Sequence, residues 1–458
     1  MMKEINAEEL KQFQADYESD RSNRIAQRAV TTNGIYKAAE DMNAVDRNSD
    51  ENFSFSIDVD SENVANQRHS GRCWMFACLN TLREHLQKED KVGKDFELSQ
   101  SYLYFYDKLE RCNYFYDNMV ELADRPMGDG LLLHRLDQPQ QDGGDWCLVC
   151  ALIDKYGVVP KDQMNETSCT MDSGEINTIL NRKLRKDALE IRSLVKDGRK
   201  DELDAVRERM LGEDYRILAI AFGVPPTEIS FEYKPQDEDD KDKKDKKDKK
   251  DAGIKQYGPM TPQDFYKKFI GLDLNDYVLL QDIPHVEYGK LYGIEMSGNM
   301  VGGRPNRYLN TPAKDMKEAV IKQLKDGYGV WFANDVMQQF DRKKGIEDLD
   351  LYGFNDLFGL DFDMSKKDMY ETKESLPTHG MVIAGVDLRD GKPVRWKIEN
   401  SWGDEIGDKG FMVMSDAWFD KYVYGVAVNK KHLTEEQRKA FETEPTILPY
   451  WDAANPIM

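Results

Sequence analysis

A cysteine that opens a helix is the first group in this chain with chemistry to offer. From Cys73 to about Lys88 apolar residues recur at helical spacing (Trp74, Ala77, Cys78, Leu82, Leu86) after the loop Asn66-Gln67-Arg68-His69-Ser70-Gly71-Arg72. That pattern places the Cys73 thiol at a helix N-terminus. A thiol attacks only as thiolate, and a helix N-terminus with a nearby imidazolium lowers its pKa from about 8.5. His379 is the matching imidazole, because Pro377-Thr378-His379-Gly380 runs directly into the apolar strand 381–386, which holds the ring rigidly. Asn400 ends the run Trp396-Lys397-Ile398-Glu399-Asn400 and shares parity with Trp396 and Ile398, so it turns inward and fixes the His379 ring. Trp402 shields that hydrogen bond from water. Gln67 turns its amide toward the same place, where with the backbone N–H of Cys73 it stabilises a tetrahedral oxyanion. These are the parts of acyl transfer through a thioester, which needs no cofactor.

Several elements must carry these groups. Helices are predicted over Gln100–Tyr116, whose stripe Tyr102, Phe105, Tyr106 reads as core, and over Trp146–Tyr156. Between Asp172 and Phe222 the chain is charged, apolar at helical spacing and poor in Gly and Pro, which predicts a helical insertion. Residues 237–251 hold seven Lys and eight acids, a nearly neutral repeat that cannot pack and reads as a solvated loop over 235–252. The last third changes to short β-type runs at 329–333, 381–386, 394–398 and 411–414. A helix-bearing half followed by a strand-bearing half argues for an α+β fold with a cleft between them. The expected organisation is an N-terminal arm (1–50), a helical lobe with the nucleophile (51–170), a helical insertion (171–300), a β-rich lobe with His379 and Asn400 (301–440), and a C-terminal arm (441–458).

Composition bounds the alternatives. The chain has 458 residues, and 64 Lys and Arg against 85 Asp and Glu leave a net charge of −21, which disfavours a nucleic-acid partner. With 40% apolar and 10% aromatic residues it folds, and its length calls for two domains or one fold with a large insertion. Six cysteines (Cys73, Cys78, Cys112, Cys147, Cys150, Cys169) in so long a chain predict reduced thiols. With no long apolar run and the polar start Met1-Met2-Lys3-Glu4, the expected location is the cytoplasm, away from membranes. Cys147-Leu148-Val149-Cys150 has CxxC spacing but no completing ligands, and His85, His134, His285 and His432 are scattered, so no metal is expected. His69 lacks an orienting strand and reads as a surface group.

Gln67 with Ser70-Gly71-Arg72-Cys73-Trp74, then Thr378-His379-Gly380, then Glu399-Asn400-Ser401-Trp402-Gly403 resembles the papain-like cysteine peptidases. The Ser-Gly-Arg-Cys-Trp form and the segment Asp416-Ala417-Trp418-Phe419-Asp420-Lys421-Tyr422-Val423 look most like their bleomycin hydrolase and aminopeptidase C branch. The resemblance implies a papain-like two-lobed fold, helical lobe against β-rich lobe, enlarged by the insertion. It implies a thiol aminopeptidase acting on peptides with a free N-terminus, with bleomycin-like amides as a side substrate, and self-association into a hexameric ring around an internal channel. It also implies that the C-terminal arm lies in the cleft and offers its terminal carboxylate, from Met458 or Ile457, to the substrate ammonium. Gly143-Gly144 resembles the family's glycine pair, which bonds an extended substrate strand; a helix-start turn capped by Asp145 is the plainer reading, and both hold together.

Two departures bear on the choice. Secreted relatives carry Cys-Gly-Ser/Ala-Cys with the His roughly 130–150 residues downstream; here Ser70 replaces the first Cys and His379 follows Cys73 by 306 positions. The lost disulfide partner suits a reducing compartment, and the added length accommodates the inserted helices. The competing readings are a papain-like endopeptidase with a passive tail, and a hexameric scaffold or nucleic-acid-binding protein with incidental peptidase activity.

Overall fold

The structure is a computed structural model that describes residues 4–49, 54–59, 64–89, 92–93, 96–233 and 255–455. The expected loop 235–252 and the residues Ile457 and Met458 lie outside the described residues. Among those residues the chain forms a sheet of 12 strands backed by helices, with a separate hairpin of Ile229–Tyr233 and Lys255–Met260.

At the centre of the sheet lies His379–Arg389, buried from His379 through Val386. Such a continuous apolar run belongs to a strand covered on both faces. Its first half pairs antiparallel with Val330–Asn334 and its second half with Ile57–Asp58, while Lys392–Glu399 and then Phe411–Ser415 continue the sheet on the other side. Alternation along the strand sends Val382 into the core of the helical lobe and Met381 and Ile383 into a second core behind the sheet, and an irregularity between Ile383 and Gly385 turns Val386 into that second core as well. The second core is closed by Ala313–Lys325, whose Met316, Ala319, Val320 and Leu324 face the sheet.

The nucleophile-bearing helix, Cys73–Lys88, packs against the His379–Arg389 strand. Gln100–Glu121 and Trp146–Tyr156 build the helical lobe around it, the first running a turn beyond its predicted end. The insertion supplies Gly174–Lys196 and Leu203–Phe222, both packed on Gln100–Glu121. Its expected end at residue 300 falls inside the sheet, because Tyr277–Gln281 and Leu291–Ile294 are sheet strands. Their short apolar runs look the same as buried helix until their neighbours are known. The first 50 residues, expected to cover a surface, contain helices at Ala7–Ser19, Arg21–Asn33, Ile35–Ala39 and Met42–Arg47, three of them capped by Asn6, Asp20 and Asp41. Arg47 ties this arm to the β-rich lobe through Asp348 and Asp350, each at 2.6 Å.

Helix and sheet are also pinned by charge. Arg83 of the nucleophile helix lies 2.6 Å from Glu399 at the end of Lys392–Glu399, and Asn80 donates to the same carboxylate at 2.8 Å, all buried. Removing one partner of a buried pair leaves the other charge uncompensated. Arg83→Met is therefore expected to lower unfolding stability by about 3–5 kcal/mol in denaturant titrations; a loss below about 1 kcal/mol would show that Glu399 is held by its other partners.

Candidate active site

The loop before Cys73 is laced from within. Gln67 donates through Nε2 to the Ser70 carbonyl at 2.5 Å, Ser70 Oγ donates to the Gln67 carbonyl at 2.7 Å, and Arg72 Nε donates to Ser70 Oγ at 2.8 Å. Arg72 is fully buried and grips Glu166 with both terminal nitrogens, at 3.1 and 2.9 Å. Such a bidentate charged pair fixes orientation as well as distance. The hydroxyl of Ser70 thus ties Gln67 and Arg72 into one loop.

Asp142 holds the loop from outside. Its carboxylate accepts from Gly71 N–H at 3.1 Å, Tyr104 Oη at 2.8 Å, Asn177 Nδ2 at 2.9 Å and the Ser173 hydroxyl, and it lies 2.7 Å from Lys108 Nζ. Its carbonyl accepts the Trp74 indole N–H at 2.7 Å. Burial alone would push this carboxyl up, but Lys108 and the hydroxyl and amide donors outweigh it and hold the group well below the usual carboxylate range. Sequence reasoning missed Asp142, since nothing in its spacing separates it from a surface aspartate; its one signal is its place before Gly143-Gly144.

The sheet meets the helix at Gly380. Gly380, the residue after His379, sits against the first turn of the nucleophile helix, and its backbone N–H favours the charged form of the Cys73 sulfur. A Cβ at Gly380 would lie 3.1 Å from Trp74 Cα, so the absent side chain permits the approach. Trp331 reinforces it by donating its indole N–H to the Trp74 carbonyl at 3.0 Å. Cys73 and His379, 306 positions apart in the chain, are thereby brought to one place.

Asn400 sets the tautomer of His379. Its Oδ1 accepts from Ser401 N–H at 2.7 Å and its Nδ2 contacts Met412 Sδ at 3.4 Å, which fixes the amide independently of the ring. The His379 Nε2 lies 2.9 Å from that Oδ1 and so carries the hydrogen, leaving Nδ1 with a lone pair to accept a proton. Trp402 stacks on the imidazole at 4.7 Å, as expected of a shield, and the Arg342 guanidinium lies 4.5 Å over the Trp402 ring. Ser401 also links this group to Gln67: its hydroxyl donates to Gln67 Oε1 at 2.6 Å and its carbonyl accepts Gln67 N–H at 2.8 Å. With the amide oxygen occupied and one amide hydrogen given to Ser70, one N–H of Gln67 remains for an oxyanion.

Burial works against the expected thiolate and imidazolium. Burial pushes the Cys73 thiol up from 9.0, against the lowering effect of the N–H groups of Gly380, Trp74 and Cys73 itself, and the Asp142 charge adds to the rise. Burial likewise lowers His379 from 6.5 to about 4, with Arg342 adding to the fall and Asn400 opposing it. The helix N-terminus is present, and desolvation of the closed site opposes it.

The glycine pair divides. Gly143 donates its N–H to Gln141 Oε1 at 2.8 Å and its carbonyl accepts from Arg111 at 2.5 Å, so both its backbone groups are bonded within the protein. Gly144 lies against Trp74, where a Cβ would come within 2.6 Å of the indole, and Asp145 caps the next helix as expected. The C-terminal arm is docked through Asn455: Thr446–Leu448 adds a parallel strand beside Leu291–Ile294, and Ala453 and Ala454 enter the helical-lobe core. His69 is exposed, and Cys147 and Cys150 are buried on an apolar helix. All six cysteines are free, and no helix among the described residues is long and apolar enough to cross a membrane.

The sequence profile of the Peptidase C1-like family matches residues 4–455. The chain belongs to this family. Among Peptidase C1-like relatives, an aminopeptidase C of Lactobacillus delbrueckii subsp. lactis is 42% identical over 99% of this chain and 98% of its own length. An aminopeptidase E of Lactobacillus helveticus is 42% identical over 99% of this chain and 100% of its own. The crystal structure of PepW from Lactobacillus rhamnosis HN001 superposes with a TM-score of 0.93 at 44% identity, covering 99% of each chain. The papain-like α+β class read from the motifs is thus the fold of the chain.

Asp142 provides a direct check of this geometry. Asp142→Asn keeps the shape but removes the charge that faces Lys108, and misplacing reacting groups by about 1 Å costs about 10²-fold in rate. A fall in kcat of that order is expected, with the thiol still accessible to alkylation. Unchanged kcat would mean that the loop holds its place without the carboxylate.

Proposed function

We infer that this chain is a cysteine aminopeptidase of the bleomycin hydrolase type, removing N-terminal residues from peptides. The observation that carries the reading is the seating of Gly380 on the start of the nucleophile helix beside a His379 whose tautomer Asn400 fixes. Full-length similarity to relatives named aminopeptidase C and aminopeptidase E supports it.

In the proposed reaction the Cys73 sulfur attacks the first peptide carbonyl while its proton passes to Nδ1 of His379. The carbonyl oxygen becomes an oxyanion held by the remaining N–H of Gln67 and the backbone N–H of Cys73. His379 then gives its proton to the leaving amine, the C–N bond breaks, and a thioester remains on Cys73. Water, deprotonated by His379, attacks the thioester and releases the amino acid and the thiol. Asn400 keeps the ring in register throughout.

Selectivity for a free N-terminus is assigned to the C-terminal arm, whose end, Met458 or a trimmed Ile457, would pair its carboxylate with the substrate ammonium. The docking of the arm through Asn455 supports this over a passive tail. Gly144 is the member of the glycine pair left to bond an extended substrate, with Gly143 positioning it. Bleomycin-like amides are a side substrate on family likeness. The exposed apolar residues Ile5, Leu10, Phe13, Ile25 and Tyr36 on the N-terminal helices support self-association, with the hexamer as the family's form. Six free cysteines accord with a cytoplasmic setting, and the −21 charge opposes a nucleic-acid scaffold.

A panel of aminoacyl fluorogenic amides, free and N-acetylated, tests the reading. Free amines are expected to be cleaved and blocked ones spared, and Cys73→Ala is expected to lower kcat by about 10⁴-fold or more; activity surviving in that variant removes Cys73 from the chemistry. The pH profile gives a second check. His379 must be neutral to accept a proton, so kcat/KM is expected to hold down to about pH 4 and fall below it. The same lowered pKa makes the stability contribution of His379 complete above its unfolded value near 6.5 and lost as pH falls toward 4. An acid limb near 6.5 instead would mean that the site is hydrated when it works.

A further inference from the structure

Beyond its short strand, the C-terminal arm is held by a half-buried carboxylate as well as by apolar packing. Asp452 Oδ2 lies 2.9 Å from His285 Nε2, and its Oδ1 accepts from Tyr370 Oη at 3.3 Å and from Ala454 N–H at 2.9 Å. An ionised carboxylate only accepts, so His285 Nε2 carries the hydrogen. Burial pushes the Asp452 carboxyl up, but the bonds from His285, Ala454 and Tyr370 outweigh it and hold it below its usual range. The backbone around it closes into a turn: Asp452 N–H donates to the Pro449 carbonyl at 2.9 Å, Asn455 N–H to the Asp452 carbonyl at 3.0 Å, and Asn455 Nδ2 to the Tyr450 carbonyl at 2.9 Å.

The surface that receives this turn is the wall that carries the imidazole. His285 stacks on Tyr370 at 4.9 Å, and Tyr370 lies 5.7 Å from Tyr424. Tyr424 Oη donates to Ser375 Oγ at 2.9 Å, on the segment that leads into His379. Tyr424 itself belongs to Val423–Asn429, which pairs with Val330–Asn334, the neighbour of the His379 strand. The chain leaves for its end from this turn, so the seat of the turn sets where that end can reach. His285 and Tyr370 are stacked on each other independently of Asp452.

We propose that Asp452, held by His285 and Tyr370, is a positioning residue that sets the reach of the C-terminal arm and thereby the preference of this enzyme for substrates with a free amino group. The inference rests on the reading of the arm given above, and adds which side chains register it. A latch of this kind acts on recognition of the ammonium and leaves the sulfur, the imidazole and the oxyanion donors untouched. Its loss should therefore appear in KM for free-amine substrates and in new activity on blocked ones, with kcat for the chemical step kept.

The test measures kcat/KM on a free and an N-acetylated aminoacyl amide of the same residue, for the full chain, for a chain ending at Leu448, and for Asp452→Ala, His285→Ala, His285→Gln and Tyr370→Phe. Alkylation of Cys73 and thermal unfolding confirm that each variant is folded. Asp452→Ala and His285→Ala are expected to lower the free-to-blocked ratio by about 10–100-fold, mainly through KM, because the arm is displaced by ångströms. His285→Gln, which can still donate to the carboxylate, is expected to restore much of the ratio, and Tyr370→Phe to lower it less than His285→Ala. If the chain ending at Leu448 loses the preference while Asp452→Ala and His285→Ala keep it, the latch is overturned and the arm reading stands. If the shortened chain keeps the preference, the arm reading fails and the latch fails with it.

Discussion

Everything at the site follows from the absence of one side chain at Gly380. Because no Cβ stands there, the start of a central strand rests on the first turn of the nucleophile helix, with Trp74 and the Cys73 sulfur against its backbone. The same helix is held further along by Asn80 and Arg83 on Glu399, and by Glu84, whose carboxylate accepts the Gly329 N–H at 3.0 Å. Helix and sheet therefore meet along several turns, and the sulfur is located by contacts on both lobes. A residue contributed by the first third of the chain and one from its last quarter are registered by packing, which tolerates little drift.

The second constraint is dryness. The seating that aligns Cys73 and His379 also buries them, and burial penalises whichever form is charged. The outcome is a thiol raised and an imidazole lowered, an arrangement that stores reactivity instead of displaying it. Charged groups close by are kept in tight sets of their own, as with Asp142 and Lys108 or Arg72 and Glu166, although the Asp142 charge still adds to the rise of the thiol.

Much of this was legible in the residues. Apolar residues marked Cys73–Lys88 and Trp146–Tyr156 as helices, although both prove buried on nearly every side, and the run 381–386 marked a strand because both its faces are covered. The order of Gln67, Cys73, His379 and Asn400 was legible because each sits beside a turn or strand end that fixes its direction. What stayed hidden was buried charge. Asp142, Arg72, Arg83 and Glu399 are written in the sequence like surface residues, and only their partners 31 to 319 positions away take them out of water. The helices of the first 50 residues were missed for the opposite reason: the first two bury nothing, so capping by Asn6 and Asp20 is their main signal. The burial of Cys73 was not legible either, because depth of burial is a tertiary quantity that a helix start alone does not report.

The long sheet ends, among the described residues, on two very short margins: three residues at Thr446–Leu448 on one side and two at Phe340–Asp341 on the other. A strand so brief offers few unpaired backbone groups to another chain. The broad sheet is thus poorly suited to growing by strand addition, and copies of the molecule that meet must do so through side-chain surfaces, where the contact can be specific and reversible.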